Sequence, residues 1–235
     1  MKNIILTGGS RGIGEAVALQ LAANPTHQVY LIARSGEALQ RVAAQAYQRY
    51  QHRNVFPIIY DLTTPAVGLQ EKLPESLTQV DVLINNAGFL VNKPFEQHSE
   101  EDWQKTFEVN VFGVVRMIKG LQDKLGKERR SHILNVGSMG GFQGSTKFEG
   151  LVAYSASKAA LANLTESLAQ VFVDKHIAVN CLALGAVQTD MLKTAFPTYQ
   201  APLSAEEMAK FVTYFALEGH QFFNGKVIPV ALSTP

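Results

Sequence analysis

The chain has a single cysteine and no long apolar run. Cys181 stands alone in the 235 residues, so an internal disulfide is excluded and a buried, inert thiol is the simplest state. No apolar run approaches the roughly 20 residues of a membrane-spanning helix. The first apolar segment is too short and wrongly flanked for a signal peptide. We therefore expect a cytoplasmic protein with no membrane partner.

Strong charge and metal-ligand patterns are also missing. The formal net charge is +1 and the basic residues are scattered, which argues against a nucleic-acid partner. Six histidines lie along the chain without H-x-x-x-H spacing, so we expect no metal site. The hydrophobic content of 46% suffices for one large core, and no segment resembles a linker, which predicts a single domain over residues 1–235.

Apolar strand-like segments alternate with helical segments along the whole chain. The strand candidates are 2–7, 28–33, 54–60, 80–85, 131–137, 176–183 and 225–231. Helices are predicted at 15–23, 37–44, 66–73, 99–126, 152–173 and 204–218, the last opened by a capping box at Ser204. The strands are apolar throughout, which is typical of a parallel sheet covered on both faces. This order predicts an α/β Rossmann fold: a single-domain, doubly wound parallel sheet of about seven strands with helices on both faces.

Three glycines separate the first strand from the first helix. Gly8, Gly12 and Gly14 would let the backbone turn tightly and approach a pyrophosphate at the helix N-terminus. Their G-x-x-x-G-x-G spacing differs from the common G-x-G-x-x-G form. A glycine-rich loop without a ligand is the alternative, but the flanking strand and helix favour a dinucleotide site.

The end of the second strand bears on the choice of dinucleotide. A carboxylate there would bond the ribose 2′-hydroxyl of NAD, but residues 33–35 are Ala-Arg-Ser. Arg34, together with Arg11 in the glycine turn, could instead bind the 2′-phosphate of NADP. Both arginines could also be solvated surface charges. The absence of an acidic residue favours NADP as the cofactor.

Tyr154 and Lys158 lie four residues apart in a predicted helix, so both side chains leave the same face. A tyrosine hydroxyl ordinarily titrates near 10. A fixed positive charge beside it would lower its pKa and make it a usable acid or base at neutral pH. The alternative is a solvated helix face.

With these features in order, the chain resembles the short-chain dehydrogenase/reductase family from near its first residue to about Val230. The segments that carry the resemblance are residues 7–14, Asp61-Leu62, residues 85–88, Asn110, Ser138, and Tyr154 with Lys158. The resemblance implies cofactor contacts from Gly8, Ser10, Arg11, Gly12, Ile13, Gly14, Arg34, Asp61, Leu62, Asn86, Ala87, Gly88, Tyr154, Lys158, Gly185, Val187 and Thr189.

The resemblance also implies a catalytic set of four residues. The main chain of Asn110 would hold a water beside the lysine, and Ser138 would fix the substrate carbonyl. Tyr154 would donate the proton. Lys158 would lower the pKa of that tyrosine and bind the nicotinamide ribose.

Three features depart from the family pattern. Residues 144–150 form an apparent insertion between Ser138 and Tyr154, beside the substrate. Leu184-Gly185 stands where Pro-Gly is common, and 227–235 lacks the Asp-Gly-Gly tail of tetrameric members. After Gly185, the segment 186–203 has weak helical periodicity and two prolines, and we predict that it forms a mobile lid.

The predicted activity is NADPH-dependent reduction of a small, apolar or aromatic carbonyl compound. Six apolar residues are candidates for the substrate pocket: Phe89, Leu90, Phe142, Phe148, Met191 and Phe196. The 189–191 segment and the missing tail resemble the sepiapterin-reductase-like and benzil-reductase-like branch. A 3-oxoacyl thioester reductase and a non-catalytic NADP-binding sensor or scaffold are the alternatives.

The two longest predicted helices, 99–126 and 152–173, carry more apolar residues than one core-facing stripe needs. These extra residues are Val111, Phe112, Val114 and Val115 in the first helix and Leu164, Leu168, Val171 and Phe172 in the second. The excess predicts a homodimer or homotetramer.

Overall fold

The fold is built on one seven-stranded parallel sheet. The computed structural model describes residues 1–232; the end of the predicted domain and tail, 233–235, lies outside the described residues. Its strands are β1 (Lys2–Thr7), β2 (His27–Ala33), β3 (Val55–Ile59), β4 (Val82–Asn85), β5 (Ser131–Ser138), β6 (Ile177–Leu184) and β9 (Val227–Val230); β7 (Val187–Gln188) and β8 (Leu203–Ser204) form a separate pair. The strand order in the large sheet is β3-β2-β1-β4-β5-β6-β9, with every pairing parallel.

Helices cover both faces of this sheet. They are α1 (Gly12–Ala22), α2 (Gly36–Tyr50), α3 (Val67–Gln70), α4 (Glu100–Phe107), α5 (Gly113–Leu121), α6 (Val152–Val171), α7 (Asp190–Ala195) and α8 (Ala205–Glu218). The predicted Rossmann-type single domain is therefore confirmed. Within residues 1–232, none of these helices combines the length and apolar character needed to cross a bilayer.

Two apolar clusters, one on each face, hold the layers together. Because side chains alternate along a strand, Ile4 and Leu6 of β1 pack into the cluster with α1 and α8. Ile5 points the other way, into the cluster with α5 and α6. The inner strands β4, β5 and β6 are thus buried on both faces, as their continuous apolar sequences require, whereas the edge strands β3 and β9 are mostly only partly buried.

The prediction of one continuous α-helix over 99–126 is wrong. It is interrupted by a π-helical turn over Glu108–Phe112 and ends as an α-helix at Leu121. Such a turn widens the helix by one residue, often at a functional site. The helix predicted at 66–73 is also shorter, because only Val67–Gln70 is helical.

Part of the apolar excess on the two long helices belongs to the core. Val114 and Phe172 are buried in the sheet-facing cluster, and Leu164 and Leu168 pack against that cluster. Phe112 and Val171 remain half-exposed or more. The surface available for association is therefore smaller than the sequence pattern suggests, and the oligomeric state stays a prediction.

A chain of buried amides ties the centre of the sheet to α6. Asn85 Nδ2 donates to Asn135 Oδ1 at 2.9 Å, and Asn135 Nδ2 donates to Thr165 Oγ1 at 2.9 Å. Asn135 and Thr165 have no solvent exposure. These bonds fix α6 against β4 and β5, and α6 carries the catalytic candidates.

We expect Asn135→Ala to lower the free energy of unfolding by about 1–3 kcal/mol, because it leaves the Asn85 amide buried without an acceptor. Urea unfolding of the variant and the wild type measures this difference. Gln48→Ala, at an exposed position on α2, is the matched control. A loss below about 0.5 kcal/mol for Asn135→Ala, equal to an ordinary surface substitution, would refute the structural role.

Candidate active site

A large cavity opens at the carboxyl ends of the strands. Its volume is about 1150 Å³, and it lies where the chain order reverses between β1 and β4. Every residue that the sequence analysis assigns to the cofactor lines it, as does Ser138. Asn110 does not line the cavity and lies fully buried behind it.

The glycine turn has the backbone geometry that a bound phosphate requires. Gly12 has φ +56°, a conformation that a residue with a side chain rarely adopts. A Cβ on Gly14 would lie 2.2 Å from the Gly8 carbonyl oxygen, so this turn closes only with glycine. No side chain caps the start of α1. Its first N–H groups are therefore free of side-chain acceptors, and the turn fits a pyrophosphate.

The turn is fastened to the end of β4 by Thr7 and Asn86. Thr7 Oγ1 accepts from the N–H groups of Asn86 and Ala87, both at 3.1 Å. Asn86 Nδ2 donates to the carbonyls of Thr7 and Gly8 at 3.1 and 3.2 Å. These four bonds join the two loops that flank the switch point.

Three arginines line the far end of the cavity. Arg11 and Arg34 are the two predicted from the sequence, and both are exposed. Hydrogen bonds from Thr63 lower the pKa of Asp61, and the Arg34 charge lowers that pKa further. Asp61 therefore stays ionised beside Arg34.

Arg41 is a third cationic residue that sequence reasoning missed. Its guanidinium donates to both carboxylate oxygens of Glu15, at 2.6 and 2.8 Å, and to the Ser10 carbonyl at 3.0 Å. These bonds connect α2 to the glycine turn and to the start of α1. No motif marks this position, because the contact spans 26 residues between two helices.

Tyr154 and Lys158 project from α6 into the floor of the cavity, as the spacing predicts. Lys158 Nζ is 5.7 Å from the centroid of the Tyr154 ring and donates to the Val136 carbonyl at 2.8 Å. Only 4% of Lys158 is exposed, and burial lowers the pKa of its ammonium to about 8.

On balance, the Tyr154 pKa in this arrangement lies above its ordinary value rather than below it. Burial raises the pKa of the Tyr154 phenol, and a hydrogen bond with Ser138 offsets only part of that rise. The reason is that the low-dielectric surroundings disfavour the phenolate more than its polar neighbours stabilise it. Tyr154 is therefore protonated at neutral pH.

Asn110 lies at the centre of the π-helical turn and holds the neighbouring loop. Its Oδ1 accepts from the Phe89 N–H at 2.8 Å, and its Nδ2 donates to the Phe89 carbonyl at 2.9 Å. Nδ2 also donates to Ser157 Oγ at 2.9 Å, and that hydroxyl donates to the Tyr154 carbonyl at 2.7 Å. Ser157, missed from the sequence, thus links Asn110 to the helix of Tyr154.

The substrate end of the cavity is apolar. Phe89, Leu90, Phe148, Met191 and Phe196 line it as predicted. The rings of Phe148 and Phe196 lie 6.1 Å apart, so the 144–150 insertion contacts the end of α7. Phe142 does not line the cavity, which corrects its assignment. Ser145 and Lys147 instead hydrogen-bond its carbonyl and fold the insertion over its main chain.

The segment 186–203 is more ordered than its sequence suggests. It contains α7, and its two ends pair through β7 (Val187–Gln188) and β8 (Leu203–Ser204). Asn92 Nδ2 donates to the Ala195 carbonyl at 2.6 Å and ties α7 to the loop after β4. This one side chain bridges the two walls of the substrate end.

Comparison with known proteins agrees with this geometry. A family model described as short chain dehydrogenase matches residues 2–200. The chain belongs to the short-chain dehydrogenase/reductase family. As a member of that family, the protein is an oxidoreductase.

Several relatives of this family match nearly the whole chain. The 3-oxoacyl-[acyl-carrier-protein] reductase FabG of Escherichia coli is 30% identical, over 97% of this chain and 95% of that protein. The RhlG/NADP complex of Pseudomonas aeruginosa is 30% identical with a TM-score of 0.87, covering 98% of this chain and 94% of RhlG. L-sorbose reductase from Gluconobacter frateurii, solved with NADPH and L-sorbose, is 25% identical with a TM-score of 0.87, over 99% and 96% of the two chains.

The mobility of the lid over 186–203 remains a prediction, and hydrogen exchange tests it. We expect the amides of α7 to exchange faster in Asn92→Ala than in the wild type. The substitution removes the side-chain hydrogen bond from Asn92 to the Ala195 carbonyl, which is the only side-chain hydrogen bond to Ala195 within residues 1–232. NADPH should slow this exchange in both proteins by closing the segment. Equally strong protection of α7 in both proteins, with and without NADPH, would contradict a mobile lid.

Proposed function

We propose that the protein is an NADPH-dependent carbonyl reductase. The observation that carries this proposal is the position of Ser138, Tyr154 and Lys158 in the wall of one cavity with the glycine turn. The cofactor, when bound, supplies a hydride to the substrate carbonyl carbon. Everything else in the reaction falls to residues of this chain.

The cofactor-binding role is divided along the cavity. The glycine turn and the start of α1 would hold the pyrophosphate, and Asp61 and Leu62 would border the adenine. Arg34 and Arg11 would bind the 2′-phosphate. RhlG and L-sorbose reductase, both solved with NADP or NADPH, support this preference.

The proton is supplied by Tyr154. A phenol whose pKa is raised by burial is already in the acid form that carbonyl reduction needs. Ser138, at the end of β5, would bond the carbonyl oxygen. The Lys158 charge would stabilise the phenolate that remains after proton donation, which is when negative charge develops beside it.

The apolar lining near Phe148 and Phe196 supports a small apolar or aromatic substrate. Loss of NADPH absorbance with a panel of diketones, pterins, quinones and aromatic aldehydes tests the activity. No turnover of any member, with NADPH bound, would favour the sensor or scaffold alternative.

A 3-oxoacyl thioester reductase is the second candidate, and its support comes from FabG as a relative of nearly equal length. Including acetoacetyl thioesters in the same panel separates the two candidates. We further propose that the protein works in the cytoplasm as a homodimer or homotetramer, on the sequence arguments above.

We expect Arg34→Ala to weaken NADPH binding about 10- to 150-fold and to leave NADH binding nearly unchanged, because one charge-assisted contact to the 2′-phosphate is lost. Fluorescence titration of both cofactors measures the two affinities. Arg130→Ala, an exposed arginine away from the cavity, controls for net charge. If the wild type binds NADH as tightly as NADPH, the assignment of Arg34 to the 2′-phosphate is refuted.

We expect Tyr154→Phe to lower kcat about 10²- to 10⁴-fold while NADPH affinity and folding persist, because only the acidic hydroxyl is removed. Steady-state kinetics with the best substrate of the panel measures the loss. Retention of near wild-type turnover would show that another group supplies the proton.

A further inference from the structure

One cationic residue besides Lys158 lines the cavity away from the three arginines, and it is exposed. Lys105, near the end of α4, lies on the cavity wall with its Nζ 4.7 Å from the centroid of the Phe89 ring. Phe89 follows Gly88, and a Cβ on Gly88 would lie 3.8 Å from Lys158 Nζ. The Lys105 ammonium thus lies over Phe89, the residue that follows Gly88 near Lys158.

The acidic neighbours of Lys105 on the helix surface have other partners. Asp102 pairs with Lys93 at 2.7 Å, and Glu108 pairs with Arg116 at 2.5 Å. Glu101 is hydrogen-bonded to Ser99, which lowers its pKa. Among residues 1–232, no carboxylate lies within 4.0 Å of Lys105 Nζ. The Lys105 ammonium, exposed at the cavity wall, therefore has no ion-pair partner among these residues.

The other charged residues on the cavity wall lie elsewhere. The arginines and Asp61 belong to the adenosine end, and Lys158 lies in the floor. Asp190 also lines the cavity, between Thr189, whose Cγ2 would lie 3.5 Å from a Cβ on Gly12 in the glycine turn, and Met191 at the substrate end. Beside Phe89, the wall thus offers one cation among apolar side chains.

We propose that Lys105 forms an anion subsite, so that the preferred substrate is a carbonyl compound with an oxyanion on its apolar body. The Phe89 ring holds the ammonium by a cation–π contact and orients it along the wall. The oxyanion is either a carboxylate of a small substrate or the phosphate of a phosphopantetheine thioester. This subsite rests on the proposed reductase function and adds a substrate class to it.

Two pairs of substrates with the same reacting group test the subsite. The first is 4-formylbenzoate against 4-methylbenzaldehyde; the second is acetoacetyl phosphopantetheine against the acetoacetyl thioester of N-acetylcysteamine. The readout is the ratio of kcat/KM for the charged member to that for the neutral member. The variants are Lys105→Gln and Lys105→Arg, with Lys119→Gln, an exposed lysine on α5 outside the cavity, as the matched control.

We expect Lys105→Gln to lower this ratio about 3- to 30-fold, mainly through KM, for at least one pair. Lys105→Arg should keep most of the wild-type ratio, and added salt should lower the ratio of the wild type. The pair that responds identifies the source of the oxyanion. A ratio unaffected by Lys105→Gln in both pairs, or lowered equally by Lys119→Gln, would overturn the subsite.

The subsite can also be tested if the protein proves not to be a reductase. If none of the four compounds is reduced, calorimetric titration of the protein with 4-methylbenzoate still decides the subsite. Binding that is lost in Lys105→Gln and kept in Lys119→Gln would support it, and binding that is absent or the same in all variants would refute it.

Discussion

The site is arranged around the buried ammonium of Lys158. Burial of a positive charge is costly unless polar groups surround it, and here the Val136 carbonyl and the Tyr154 ring face it. Both neighbours are placed by regular structure: Val136 by β5, and Tyr154 by one turn of α6. Burial lowers the pKa of this ammonium to about 8, because desolvation disfavours the charged form. In the proposed reaction, a group that becomes negative next to this ammonium would be stabilised by it.

The rest of the fold keeps α6 in register with the loops around it. Asn85, Asn135 and Thr165 connect α6 to the sheet below, and Ser157 connects it to Asn110. Asn110 in turn holds both main-chain groups of Phe89. Phe89 supports the Lys105 ammonium on the cavity wall. Tyr154, Phe89 and Lys105 are thus linked by the hydrogen bonds of Ser157 and Asn110 and, at the last step, by a cation–π contact.

Much of the fold could be predicted from the sequence, because strand burial, the glycine turn and the Tyr154/Lys158 spacing are local patterns. The candidate catalytic and cofactor residues came from motifs of the same kind, and all of them except Asn110 line one cavity. The break in the helix over 99–126 could not be predicted, because it accompanies the contact of Asn110 with Phe89, 21 residues earlier. The Tyr154 pKa, the exclusion of Phe142 from the cavity and the roles of Arg41 and Lys105 likewise depend on packing between distant segments.

The most direct test of the coupling between Lys158 and Tyr154 is a double-mutant cycle on kcat for carbonyl reduction. It compares Tyr154→Phe, Lys158→Ala and the double variant at saturating NADPH, so that lost cofactor affinity does not enter. We expect the double variant to be far more active than the product of the two single losses implies, because the lysine charge acts largely through the tyrosine. Multiplicative losses would show that the two side chains act independently and would contradict the proposed mechanism.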